Sequence, residues 1–292
     1  ADKQTIRSAL EELNAAGSTN GSAGIQMAYD IATKAFIEKG VNRVILATDG
    51  DFNVGVSNTG DLVRMIEDKA KPGVFLSVLG CGVGNLKDDK LEGLADRGNG
   101  MYAYIDTENE ARKALVDQMT GTLVTVAKDV KLQVEFNPAV VDSYRLVGYA
   151  NRKLENHEFD NDAKDAGEVG AGHTVTAFYE IVPRKEPLAG DQLAARGLRF
   201  QKAEVIPSNE TLVVKVRYKA PDGAESKLLV FPVTDAGKTY AQASPDFKFA
   251  ASVASFGMLL RDSPYKGNAT YSSVRELARE GLGADESGLR SE

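Results

Sequence analysis

Residues 41–50, VNRVILATDG, decide the fold of the first part of the chain. The segment is a short, mostly apolar run that ends in a carboxylate and a glycine, which indicates a buried strand followed by a turn. Two similar runs follow, VFLSVL at 74–79 and MYAYI at 101–105. Strands with nearly uninterrupted apolar sequence are buried on both faces, as they are in parallel sheets. The three runs therefore predict a parallel sheet.

Helical periodicity surrounds these strands. Apolar side chains recur at helical spacing in five segments, at about 3–17, 22–40, 61–70, 86–97 and from 107 onward. This alternation predicts an α/β fold over residues 1–123, a partial doubly wound parallel sheet with right-handed crossovers. Strands of this kind need neighbours on both sides, so we expect the opening strands of the sheet to precede residue 1. On this interpretation the chain is a fragment of a longer protein.

The pattern changes to period two after about residue 124. Alternating polar and apolar residues predict strands at 130–136, 140–149, 173–182, 211–218 and 227–233. Several short alternating strands are typical of an antiparallel β-sandwich, which we expect over residues 124–245. Helical spacing then returns over 246–292, which predicts a helical C-terminal segment.

Composition excludes several classes of function. The 292 residues carry 42 acidic and 35 Lys or Arg side chains, a net charge of −7 without a basic stripe, which argues against nucleic acid as the main partner. No apolar run reaches the roughly 18 residues of a membrane span. One cysteine, Cys81, excludes an intrachain disulfide framework, and two histidines are too few for a zinc site.

Oxygen-bearing side chains occupy two loops of the predicted α/β domain. Asp49 directly follows the first strand, and Thr19 lies in the polar loop GSTNG at 17–21, before a helix. Ligands of open parallel sheets bind outside the carboxyl ends of the strands. Carboxylate and hydroxyl oxygens suit Mg²⁺. Each residue also has a structural explanation, because Asp-Gly is a common turn and Thr often caps a helix.

These residues resemble a known family. Gly17-Ser18-Thr19-Asn20, followed by Asp49 within ILATDG at 45–50, resembles the von Willebrand factor type A (VWA) domain. The wider chain is similar to bacterial VWA proteins that carry a C-terminal domain of uncharacterised function. That similarity is carried by VAKDVKLQVEFNPAVV at 126–141, RLVGYANRKL at 145–154 and GAGHTVTAFYEIVP at 170–183.

The resemblance implies a metal-ion-dependent adhesion site (MIDAS). Thr19 would supply a hydroxyl ligand and Asp49 a carboxylate to Mg²⁺, or to Mn²⁺ or Ca²⁺, and an acidic side chain of a protein partner would complete the coordination. The family's D-x-S-x-S motif is absent, since the nearest string, DESGL at 285–289, has Leu289 in place of the second serine. We expect that motif upstream of residue 1, so this fragment alone would bind metal weakly or not at all.

The function that follows is a non-enzymatic protein-interaction module of the cell envelope, often extracytoplasmic in relatives of this architecture. Two alternatives stay open. The first is a nucleotide-binding enzyme, because Gly80-Cys81-Gly82-Val83-Gly84 is similar to a dinucleotide-binding loop. The match is imperfect, since Asn85 occupies the position of the third glycine. The other alternative is a metal-free structural envelope protein. The acidic stretch 160–168 fails the EF-hand spacing and predicts a solvated loop.

Overall fold

A computed structural model describes residues 2–12, 14, 20–52, 58–82, 86–119, 121, 124–149, 153–164, 166–186 and 208–292. The chain divides into two compact units. The first consists of Ala1–Thr125 with Gly170–Gly172, and the second of Val126–Val169 with His173–Glu292. Within the described ranges, no helix combines the length and the apolar character needed to cross a bilayer.

A three-stranded parallel sheet organises the first unit. Its strands are β1 (Arg43–Thr48), β2 (Phe75–Cys81) and β3 (Tyr102–Ile105), in the order β1-β2-β3. Val44 pairs with Leu76 and Val78 pairs with Tyr102, so all three strands run in one direction. The parallel sheet predicted from the three apolar runs is confirmed.

Helices alternate with these strands. They are α1 (Lys3–Glu11), α2 (Gly21–Lys34), α3 (Thr59–Ala70), α4 (Asp88–Arg97) and α5 (Glu108–Arg112), and a π-helical turn at Lys113–Asp117 follows α5. The oxygen atoms of Asn58 and Thr107 cap α3 and α5, as expected of residues that satisfy free amides at helix N-termini.

The core of the first unit lies on one face of the sheet, where α2, α3 and α4 contribute to it. Its buried side chains are Ile25, Tyr29, Val44, Phe52, Leu62, Ile66, Val74, Leu76, Val78, Leu91, Leu94 and Ala95. Ile45 points away from this core and is 48% exposed. A parallel sheet is normally covered on both faces, so the opposite face around β1 is unusually open.

The first helix differs from its prediction. α1 ends at Glu11 rather than near residue 17, and no residue in it is buried. Ile6 and Leu10, which the helical spacing placed on a core-facing side, are 48% and 60% exposed. The periodicity of α1 is therefore real, but the described residues do not cover its apolar side.

The second unit contains two antiparallel sheets and two helices. Its strands are β4 (Thr125–Phe136), β5 (Val141–Val147), β6 (Val169–Gly170), β7 (Phe178–Pro183), β8 (Leu212–Lys219) and β9 (Ser226–Val233). One sheet has the order β6-β4-β8-β9, and the other consists of β5 and β7. The strand-rich second half is confirmed, whereas its arrangement as a sandwich stays a prediction.

The helices of the second unit pack with its strands. They are α6 (Pro245–Leu260), capped by Ser244, and α7 (Tyr271–Glu280), capped by Thr270. The ring of Phe178 in β7 meets the ring of Phe247 in α6 edge-on, 5.3 Å between centroids. The Arg145 guanidinium of β5 lies 4.0 Å from the ring centroid of Tyr265. These contacts join the helical segment to the strands in one unit.

We predict that Gly100→Ala destabilises the first unit by about 3 kcal/mol, because the added Cβ would lie 1.9 Å from the carbonyl oxygen of Leu76 in β2. Gly93→Ala is the matched control. Gly93 lies inside α4 with open space around it, so alanine should stabilise the helix by up to about 1 kcal/mol. Urea unfolding of both variants tests the close approach, and equal effects would contradict it.

Candidate metal centre at the carboxyl edge of the parallel sheet

Asp49 lies at the carboxyl end of β1, where the chain turns away from the sheet. Its Oδ1 accepts a hydrogen bond of 3.0 Å from the Asp51 amide. Gly50 adopts a φ of +82°, and its amide donates to the Thr48 hydroxyl oxygen at 3.1 Å. This turn needs a glycine, because a positive φ strains other residues. Asp49 thus stabilises the turn with one carboxylate oxygen, and the turn fixes the orientation of the carboxylate.

The ends of all three parallel strands meet around Asp49. A Cβ added to Gly82, which follows β2, would lie 3.5 Å from the Asp49 Cβ. The Tyr104 hydroxyl of β3 donates to the Gly82 carbonyl oxygen at 3.0 Å. The Lys87 amide, just before α4, donates to the Asp49 carbonyl oxygen at 3.2 Å. The sheet therefore presents the Asp49 turn at its carboxyl edge, as predicted for a parallel sheet.

The start of α2 also reaches this edge. A Cβ added to Gly21, the first residue of α2, would lie 2.2 Å from Cδ1 of Phe52. Phe52 follows Asp49 by three residues, and its side chain is buried in the core. The first residue of α2 and the segment that follows β1 are therefore in direct contact.

Asn20 is the N-cap of α2. Its Oδ1 accepts hydrogen bonds of 3.2 Å from the Ala23 amide and from the Ser22 hydroxyl. Thr19, the predicted hydroxyl ligand, lies outside the described residues. The capping role that could have explained a threonine at this position belongs to its neighbour Asn20.

Charges of both signs surround the edge. Burial lowers the pKa of Lys90, while the Asp51 carboxylate opposes that shift, and the Lys90 ammonium lies 4.5 Å from the Phe52 ring centroid. The Tyr102 hydroxyl donates to the Asp88 carboxylate, and burial, more than this bond, raises the pKa of Tyr102. In the described part of the chain, no three His, Cys, Asp or Glu side chains are grouped to hold a metal ion. Further ligands of a metal ion at Asp49 would have to be hydroxyl groups or side chains outside the described residues.

The glycines of the dinucleotide-like loop have structural roles. A Cβ at Gly80 would lie 2.7 Å from the Tyr102 hydroxyl oxygen, and Gly82 adopts a φ of +120°. Residues 83–85 lie outside the described residues. Packing and backbone geometry account for the two described glycines, and nucleotide binding stays a prediction without a supporting contact.

The acidic stretch of the second unit is exposed over residues 160–164, as expected of the predicted solvated loop, and it also forms ion pairs with the neighbouring sheet. Arg217 of β8 pairs with Asp162 at 3.0 Å, and the hydrogen bond from Ser226, together with this guanidinium, lowers the pKa of Asp162. The ammonium of Lys131, a residue only 2% exposed, donates to the Asn161 carbonyl oxygen. Because β8 presents the Arg217 guanidinium beside the loop, Asp160 and Asp162 both find a cationic partner within the protein.

Comparison with known proteins places the second unit in a family. The family described as "Uncharacterized protein YfbK, C-terminal" matches residues 121–292, more than half of the chain. The chain belongs to this family. It is also 42% identical over 291 residues to the "Uncharacterized protein YfbK" of Escherichia coli strain K12, a match that covers 99% of this chain and 50% of that protein. The chain thus spans about half the length of this YfbK relative.

Two solved structures are similar to the YfbK-family chain. One is a von Willebrand factor type A protein from Catenulispora acidiphila, with a TM-score of 0.41, 17% identity, and coverage of 100% of this chain and 66% of that one. The other is the human COPII-coat protein Sec24c, with a TM-score of 0.38, 13% identity, and coverage of 90% and 34%. Both likenesses are too distant to carry an argument about the site.

We predict that Gly21→Ala destabilises the first unit by about 1–3 kcal/mol, because its Cβ would overlap the Phe52 ring. The same substitution in a Phe52→Ala background should cost close to nothing, since the ring that it meets is gone. Urea unfolding of the two single variants and the double variant gives the coupling energy. Additive effects of the two substitutions would show that position 21 and the Phe52 ring are not in contact.

Proposed function

We propose that the first unit is a non-enzymatic protein-interaction module that captures an acidic side chain of a partner protein through a divalent cation. The cation, Mg²⁺ or else Mn²⁺ or Ca²⁺, would sit at the carboxyl end of β1. Asp49 and Thr19 would be two of its ligands. The observation that supports this proposal is the contact between Gly21 and Phe52, which brings the start of α2 to the segment after β1.

The geometry of Asp49 suits this role. The bond from the Asp51 amide to Oδ1 orients the carboxylate, and a pre-oriented carboxylate loses little freedom when it binds a cation or a cation-bound water. Thr19 precedes Gly21 by two residues, a span of at most about 7 Å of extended chain. Hard oxygen donors on separate loops match the chemistry of Mg²⁺, which keeps several waters and takes few protein ligands.

The described residues supply too few ligands for a complete site. The sheet order begins at β1, whose side chain at Ile45 is exposed on the face away from the core. A parallel strand added beside β1 would place its carboxyl end next to Asp49. We infer that such a strand, carrying the D-x-S-x-S motif, comes from sequence that precedes residue 1. We call the chain, lengthened to match the full length of its E. coli relative, the extended polypeptide.

The proposed ligand set supports a role in binding rather than in catalysis. The open coordination position would be filled by a carboxylate of the partner, and the cation then bridges two proteins without a nucleophile or a general base. The resemblance to envelope VWA proteins supports an extracytoplasmic or cell-envelope location.

Calorimetric titration of the extended polypeptide with Mg²⁺ or Mn²⁺ tests the proposal. We expect Asp49→Asn to weaken cation binding by at least about tenfold. Loss of a residue that only hydrogen-bonds to a metal ligand commonly weakens binding by about that factor, and loss of a direct ligand should weaken it at least as much. Asp51→Asn, two residues away, is the matched control and should retain binding, because Asp51 holds Asp49 through its amide, which the substitution leaves in place. Thr19→Ala should weaken binding as Asp49→Asn does.

Three results would overturn the proposal. Equal binding by wild type and Asp49→Asn would remove Asp49 from the site. Equal loss in the Asp51→Asn control would indicate a general effect of negative charge. A protein that binds neither cation would support the metal-free structural alternative.

A further inference from the structure

One face of the sheet β4-β8-β9 is apolar over three consecutive cross-strand rows. Three cross-strand rows, read from the register of the strands, place nine apolar side chains on this side of the sheet. We call them the apolar face: Leu132, Val216 and Leu229; Val134, Val214 and Phe231; Phe136, Leu212 and Val233. The opposite side of β4 and β8 is charged, with residues such as Lys131, Glu135 and Arg217. This contrast is typical of a sheet with one face turned to a core.

The aromatic contacts that the described residues make with the apolar face lie at one end of it. Phe136 is buried, and its ring stacks on Tyr144 of β5 at 4.1 Å and meets Tyr179 of β7 at 5.3 Å. Four other members of the face lie 40–52% exposed, namely Leu132, Leu229, Phe231 and Val233. The sheet β5-β7 therefore begins a second layer over the face, and the described residues leave these four other members about half exposed.

A face of this kind requires a cover. Sheets in folded proteins bury an apolar side against a second layer, and contiguous exposed apolar patches of several hundred Å² mark interaction sites. A fully exposed large side chain has an accessible surface of about 200 Å². The four half-exposed side chains therefore present about 400 Å² of apolar surface. That is about half of the 800 Å² that each partner of a stable complex buries. A tethered segment needs less area than a free partner, because its effective concentration is high.

The edge of the sheet is protected against strand addition. β9 is the last strand of the sheet and contains Pro232, which has no amide to donate to a further strand. Docking through the face, rather than through the edge, is the arrangement that this strand permits.

We propose that the apolar face docks a segment of the same polypeptide that lies outside these 292 residues. The segment would present an apolar helix stripe or sheet face and would complete the second layer that β5-β7 begins. The E. coli relative aligns with 99% of this chain, yet this match covers only 50% of its length, so about as much chain again accompanies the sheet in that protein. The small open area favours such a tethered segment over a second copy.

Hydrogen exchange of β9 tests the proposal in the 292-residue chain and in the extended polypeptide. We expect the amides of 226–233 to exchange at least about tenfold more slowly in the extended polypeptide, because a docked layer opposes local opening of the strand. Phe231→Gln should abolish this difference. Val230→Gln is the matched control. Val230 is 51% exposed and Phe231 is 50% exposed, but the two neighbouring side chains lie on opposite sides of the sheet. The Val230→Gln variant should therefore retain the difference in exchange.

Each contrary result would overturn the proposal. Equal exchange of wild-type β9 in both proteins would show that no outside segment docks, and this comparison needs no variant to fold. Equal loss in Val230→Gln would show that the strand, not the face, is responsible. Light scattering that finds the 292-residue chain dimeric, and monomeric after Phe231→Gln, would assign the face to a second copy.

Discussion

The contact between the Phe52 ring and the bare backbone of Gly21 fixes the candidate site. Phe52 packs in the buried core of the first unit, so its side chain holds the turn after β1 in place. Gly21 is the first residue of α2, so the start of that helix is held against the same ring. A side chain at position 21 would overlap this ring and push the start of α2 away from the turn. The proposed pairing of Thr19 with Asp49 depends on this one close approach.

The sequence predicted the features that depend on local pattern. Three apolar runs identified the parallel strands, and the position of Asp49 after the first run placed it at the carboxyl edge. The Phe52 contact has no such signal, because it depends on where α2 packs. The partners of Asp162 were missed for a related reason, since Arg217 and Ser226 are distant in sequence and only the pairing of β8 and β9 brings them together. The short extent and exposed side of α1 were missed because periodicity reports a helix and not its cover.

Both units present apolar surface that the described residues leave open. In the first unit it lies around Ile45 on β1, and in the second it is the apolar face of β4, β8 and β9. The YfbK relative, twice as long as this chain, gives a common physical explanation in which further segments of one polypeptide cover both surfaces.

Anomalous X-ray diffraction from crystals of the extended polypeptide grown with Mn²⁺ tests the central claim most directly. A manganese peak beside the Asp49 carboxylate, with the Thr19 hydroxyl among its ligands, is the result that cation-mediated capture predicts. A manganese peak at another place, or crystals in which the Thr19 hydroxyl and the Asp49 carboxylate lie too far apart to share one ion, would contradict it.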